Sequence, residues 1–219
     1  KSVAINRELT GYLEASLPGA RIESQPLPMI PALELFLLNH DYPQSELSRE
    51  AIKKLMDDPL YWVFCWASGQ VLASFLFEHP EWVRAKRVLD FGCGSGVAGI
   101  AAAMAGAREV IACDTDPLAL KAAQYNMQHN KVDLELTSDF FSIAGEIDLI
   151  IVADVLYDSA NIAWLQRFVQ RAKRVLIAAS RVRDFDYPPY RLIDRREACT
   201  VPDLDESAEF RDVRIFMAD

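Results

Sequence analysis

From Arg87 onward the chain alternates between two hydrophobic rhythms. Short apolar runs near 87–91, 109–113, 132–137, 147–152 and 174–179 are separated by stretches near 96–105, 117–129 and 159–171 that read as helices. Alternation of this kind predicts a doubly wound, mainly parallel sheet. Two further strands, near 191–199 and 209–217, flank the acidic loop Pro202 to Ser207 and read as an antiparallel C-terminal hairpin. The expected architecture is therefore α/β, with seven strands. Upstream the pattern is less regular. Ser2 to Leu17 has helical periodicity and stops at Pro18-Gly19. Prolines 26, 28 and 31 make an extended approach to Leu33–Leu38, which reads as a strand or a short helix, and Asp41 to Pro43 is a turn. Ser48 to Met56 is a capped helix, and Ser68 to Glu78 is another, with Val71, Leu72, Phe75 and Leu76 as its buried face. Residues 1–58 are expected to form a helical and extended N-terminal extension packing on a main domain at 59–219.

The densest information lies in RVLDFGCGSGVAGIAAAMAGAREVIACDTD, residues 87–116. A short strand ends at Asp90-Phe91, and Gly92, Gly94 and Gly96 then alternate, so the backbone can approach a ligand with no Cβ in the way. An alanine-rich helix follows. Its N-terminal N–H groups and dipole suit an anionic or carboxylate-bearing ligand. Asp114 closes the next strand, where an acidic residue accepts hydrogen bonds from ribose hydroxyls. Gly94 to Gly99 satisfies G-x-G-x-x-G, so a dinucleotide fits the outline. Asp90, however, puts a carboxylate just ahead of the glycines, where it would repel a pyrophosphate and attract a cation. S-adenosylmethionine carries a sulfonium and an α-ammonium group and no phosphate, and it is the favoured ligand.

Composition limits the partners. The 219 residues are 51% hydrophobic and 25% charged, enough for one full core. The net charge of −9 disfavours a nucleic-acid partner. Arg167, Arg171, Lys173, Arg174, Arg181, Arg183, Arg191, Arg195 and Arg196 gather late in the chain, and a solvated helix face accounts for the first four as well as a docking patch does. Cys65, Cys93, Cys113 and Cys199 form no metal-binding or disulfide pattern, and His40, His79 and His129 lie far apart, so no metal site is expected. No window approaches a membrane span and no signal peptide is apparent; Lys1 in place of an initiator Met reads as a trimmed start. The setting expected is cytoplasmic and reducing.

Residues 87–116 resemble the first two motifs of class I (seven-β-strand) S-adenosylmethionine-dependent methyltransferases. The resemblance implies that Asp90, Gly92, Gly94 and Gly96 line the methionine end of the cofactor and that Asp114 holds the ribose. Asp139 stands where the family often places an acidic residue near the adenine amino group; a solvated loop aspartate is an equal reading.

Two more segments narrow the group. In Tyr61-Trp62-Val63-Phe64-Cys65-Trp66-Ala67-Ser68-Gly69-Gln70 the aromatics read as core packing, Phe64 above all, while the tryptophans offer an apolar wall over the cofactor. In Ile147 to Asp158 an apolar strand ends in Asp154 and Tyr157, at the sheet edge where doubly wound folds bind ligands. Together these are similar to the family-16 group of protein methyltransferases, particularly the lysine methyltransferases of the electron-transfer flavoprotein β-subunit. That resemblance covers Pro59 to Asp158. It departs after the fifth strand, where the group has Gly-Asp-Pro-Gly-Arg and this chain has Ala178-Ala179-Ser180-Arg181-Val182. Asp186-Tyr187-Pro188-Pro189-Tyr190 looks like the Pro-Pro-Tyr element of amide N-methyltransferases, but it follows the wrong strand and reads as a turn.

The resemblance implies methyl transfer to the lysine amine of a protein. Asp154 would orient the amine, Tyr157 would pack against the incoming chain or donate to Asp154, and Trp66 would close the cofactor side. A small-molecule N-methyltransferase of the nicotinamide type is the alternative, followed by a cofactor-binding protein without catalysis.

Overall fold

The computed structural model describes residues 2–57, 60–155, 161–182 and 184–219. A seven-stranded sheet runs in the order β5-β4-β3-β6-β7-β9-β8, built from β3 (Arg87–Phe91), β4 (Glu109–Cys113), β5 (Glu135–Thr137), β6 (Ile147–Ala153), β7 (Ala172–Ala179), β8 (Arg191–Glu197) and β9 (Asp212–Ala218). The pairs β4–β5, β3–β4, β3–β6 and β6–β7 are parallel, and β9 runs antiparallel to both β7 and β8. This is the doubly wound sheet with an antiparallel finish that the hydrophobic rhythm predicts.

Both faces are covered because alternate strand residues point to opposite sides. Val88, Val110, Ala112, Leu149, Ile151, Leu176 and Ile215 pack in one core with α3 (Ala67–Glu78) and α4 (Val97–Met104). Leu89, Ile111, Ile150, Val152, Val175 and Ile177 pack in the other with Leu165 and Phe168 of α6 (Ala163–Arg171). Helix α3 is buried all round from Ala67 to Leu76, so its hydrophobic face is wider than the four residues expected.

The N-terminal region departs most from expectation. Behind α1 (Ser2–Glu14), β1 (Ile22–Leu27) and β2 (Ile30–Leu38) form an antiparallel hairpin that is a sheet of its own, with Pro26 and Pro31 inside its strands. Prolines are tolerated there because a two-stranded ribbon is all edge. The ladder register shifts between Pro26 and Leu27. The hairpin packs on α5 (Pro117–His129) through side chains of that helix. Asn126, fully buried, accepts the Phe36 N–H at 2.8 Å, and Asn130 accepts the Glu34 N–H at 3.1 Å and donates to the Glu34 carbonyl at 2.7 Å. Trp62, Val63 and Phe64 complete this third core with Leu9, Leu13 and Phe36.

Smaller differences follow from local chemistry. A helix α2 (Arg49–Asp57) stands where one was read, β5 is shorter than 132–137, and an unexpected turn of helix α7 (Ala208–Arg211) precedes β9. Lys173 and Arg174 lie on β7, so they are not part of a helix face. Arg183 lies outside the described residues, and among the described ones the late basic residues have partners. Arg195 pairs with Asp212, Arg196 with Glu78 and Asp194, Arg181 with Glu206 and Lys173 with Asp148, while Arg174 lies over the Trp82 ring at 3.8 Å. Tyr187 to Tyr190 is the turn expected, closed by the Tyr190 N–H on the Tyr187 carbonyl at 2.9 Å.

Candidate active site

The carboxyl edge of the sheet is organised by the glycine loop. Buried Val88 and Leu89 fix β3 in register with β4 and β6, so Asp90 stands beside Ala112 and Ile151. The loop's N–H groups are then largely bonded within the protein. Gly92 and Cys93 donate to the Cys113 carbonyl at 2.8 and 3.0 Å, Gly94 to Asp114 Oδ2 at 2.9 Å, Gly96 to the Cys93 carbonyl at 2.8 Å, and Gly99 to Asp90 Oδ2 at 2.9 Å. A pyrophosphate cradle needs such groups free to face the ligand. Gly96 adopts φ +87°, and a Cβ there would stand 3.1 Å from Ala123 Cβ, because α5 backs directly onto the loop. Gly94 is also left-handed, at φ +52°, and a Cβ there would meet nothing within 4 Å, which leaves the loop backbone open to a ligand.

Three carboxylates surround this loop, and burial raises the pKa of each. Asp90, 2% exposed, is pushed up to about 7 by burial, with the neighbouring Asp114 charge adding to the rise and the Gly99 N–H opposing it. Its side chain therefore lies at the junction of β3 and α4. Asp114 is half-buried and raised, first by burial, and it accepts from both Gly94 and Asp116 N–H. Asp116 is raised by burial, and it caps α5 by accepting the Leu118 N–H at 2.9 Å. A cation docking at the loop would relieve the mutual repulsion of these groups.

Asp139 is exposed and accepts the Phe141 N–H at 2.9 Å, capping a single helical turn at Phe140–Ser142. An aromatic group of Phe91, Phe140, Trp164 and Phe168 holds that turn against the end of β3. Trp66 is half-buried ahead of α3, its indole N–H on the Tyr61 carbonyl at 3.1 Å and Arg181 lying 5.5 Å over its ring. Trp62, by contrast, is fully buried in the third core and does not wall the cleft.

Asp154 follows β6 with φ +51°. Its carboxylate accepts from Ser68 Oγ at 2.5 Å, Ser180 N–H at 2.9 Å and Ser180 Oγ at 2.9 Å. Tyr157 lies outside the described residues. Sequence reasoning did not single out the two serines, because nothing in local pattern links positions 68 and 180; only the sheet brings them to one carboxylate.

Among the described residues one set of possible metal ligands occurs, Glu23, His40 and Asp41, on the surface of the hairpin. Its members are already engaged, His40 with Glu23, and Asp41 with Arg21 and Asn39. The four cysteines are free thiols, and burial pushes Cys65 and Cys113 up to about 12, away from thiolate reactivity.

The fold recurs in solved structures. A 16S rRNA methyltransferase from T. thermophilus superposes with TM-score 0.58 over 91% of this chain and 50% of its own, at 15% identity. Magnesium protoporphyrin IX methyltransferase from Synechocystis gives 0.51 over 69% of this chain and 78% of its own, at 20% identity. The chain therefore shares the fold of these methyltransferases. Residues 77–180 match the family model for ribosomal protein L11 methyltransferase (PrmA). In sequence the chain is similar to the electron transfer flavoprotein beta subunit lysine methyltransferases. It is 36% identical to that of Xenopus laevis over 68% of this chain and 63% of the relative, and 40% identical to that of Rattus norvegicus over 55% and 50%. The chain thus spans between half and two thirds of the length of these relatives.

Proposed function

We propose that this chain is a class I methyltransferase domain that binds S-adenosylmethionine and methylates lysine side chains of a protein substrate. The observation that carries the reading is the row of carboxylates at the carboxyl edge of three adjacent strands. Asp90 is the penultimate residue of β3, Asp114 follows β4 and Asp154 follows β6. The loop fits the cofactor because its backbone is open at Gly94 while its N–H groups are spent internally, which suits a sulfonium better than a phosphate. In this reading Asp114 accepts ribose hydroxyls, and Asp139 with the Phe140–Ser142 turn meets the adenine.

S-adenosylmethionine supplies an electrophilic methyl group that reacts once a nucleophile is in line with it. The chain therefore mainly has to bind, align and exclude water. A lysine amine must arrive neutral, although its ordinary pKa is about 10.4. In this reading Asp154 accepts an N–H of the amine and turns its lone pair toward the donor. The same reading has Tyr157 pack against the incoming chain or donate to Asp154. The late arginines are largely neutralised by acidic partners, which favours a protein over a nucleic acid. The relatives named for the flavoprotein β-subunit and for ribosomal protein L11 support the same class of acceptor. The free thiols support a reducing, cytoplasmic setting.

The test is to incubate the protein and tritiated S-adenosylmethionine with an extract of cells lacking it, alongside purified flavoprotein β-subunit and L11. Label in a protein band, mapped by mass spectrometry to a lysine, is the expected result. Label confined to the low-mass fraction would replace this reading with a small-molecule N-methyltransferase.

A further inference from the structure

We propose that Ser68 and Ser180 are positioning residues that aim the Asp154 carboxylate at the methyl acceptor; this rests on the reading of Asp154 given above. The three side chains come from separate elements. Ser68 is the second residue of α3 and fully buried, Ser180 is the first residue past β7, and Asp154 is the first past β6. Both hydroxyls end on Asp154 Oδ2, Ser68 at 2.5 Å and Ser180 at 2.9 Å, while the Ser180 N–H takes Oδ1 at 2.9 Å.

Both serine hydroxyls donate to the carboxylate. It offers about four lone-pair sites, and three are occupied by these donors. Its remaining capacity therefore has one direction, which is what a group that orients an amine requires. The backbone is arranged for the same end. Asp154 holds a left-handed φ of +51°, unusual for a residue with a Cβ, and its own N–H donates to the Ala178 carbonyl at 3.0 Å. The β6–β7 ladder, paired from Ile147 to Ala153, is thus complete without the side chain. The carboxylate contacts are additional to what holds the sheet.

The test uses Ser68→Ala, Ser180→Ala, the double variant, Ser180→Thr and Asp154→Asn in the full chain, with tritiated S-adenosylmethionine and the flavoprotein β-subunit, L11 or the protein labelled in extract as acceptor. Each single alanine variant is expected to lower kcat about 10- to 100-fold, as for a misplaced orienting group, with calorimetric S-adenosylmethionine affinity unchanged. Ser180→Thr, which keeps the hydroxyl, should recover most of that loss. Unchanged kcat in both alanine variants would overturn the proposal, as would cofactor affinity falling in step with kcat. A crystal structure of the double variant decides the matter independently of any acceptor. The Asp154 carboxylate is expected in a different rotamer, and its staying in place would reject a positioning role. A wild-type protein that labels no protein defeats the lysine reading alone, and the crystal structure still judges the serines.

Discussion

Asp90 accepts the Gly99 N–H at 2.9 Å from a site only 2% exposed, so a buried carboxyl fastens strand β3 to helix α4. The contact explains why a residue at that strand end is acidic even where it does not reach solvent. It also makes the domain's stability depend on pH.

Burial holds the Asp90 carboxyl up to about 7, well above its ordinary value. Between about 4, where an unfolded aspartate ionises, and about 7, the native protein keeps a proton that the unfolded chain has released. Asp90's contribution to stability is therefore fully present below that window, falls as pH rises through it, and is level above it. Asp90→Asn keeps an oxygen for Gly99 and removes the titration. Urea denaturation at pH 4.5 and 7.5 should show wild type losing on the order of 2–4 kcal/mol relative to this variant as pH rises. Parallel pH profiles for the two proteins would show that Asp90 does not titrate in this range.

Asp114 bridges the Gly94 and Asp116 N–H groups at 2.9 and 3.0 Å, so it shapes the glycine loop. Asp114→Ala should weaken S-adenosylmethionine binding about 10- to 100-fold by calorimetry, the equivalent of one or two charged hydrogen bonds. Unchanged affinity would remove Asp114 from the cofactor site.

Asn126 joins the N-terminal hairpin to the glycine loop through one buried amide, accepting the Phe36 N–H at 2.8 Å and donating to the Ser95 carbonyl at 2.8 Å. Asn126→Ala leaves both backbone groups buried and unpaired, at a cost of about 2–4 kcal/mol measured by urea denaturation. Cofactor affinity should fall as well, because Ser95 lies inside the loop. A variant that is destabilised but binds normally would show that the hairpin supports the fold and not the site.

The strands and helices around the loop were legible because each is amphipathic or apolar over its whole length. Strands 87–91 and 109–113 and helix 117–129 were read from sequence at the bounds they have in the structure. Of the β1–β2 hairpin only Leu33–Leu38 was legible, as a strand or a short helix, since three prolines in six residues argue locally against strands. Its backbone is satisfied by Asn126 and Asn130, about ninety residues away in the chain. The candidate site divides the same way. Asp90, Asp114 and Asp154 stand out because each closes an apolar strand. Ser68 and Ser180 sit in unremarkable local settings, and their significance is entirely in their partner.

By itself the sequence determined the class of fold, the glycine loop and the acidic strand ends, because hydrophobic period and backbone permissiveness are local properties. The tertiary structure decided what each carboxylate touches. It buried Asp90 beneath α4, gave Asp114 to the loop's own N–H groups, and surrounded Asp154 with hydroxyls from two distant elements. Those outcomes depend on sheet order and strand register, which place residues far apart in the chain within hydrogen-bonding distance.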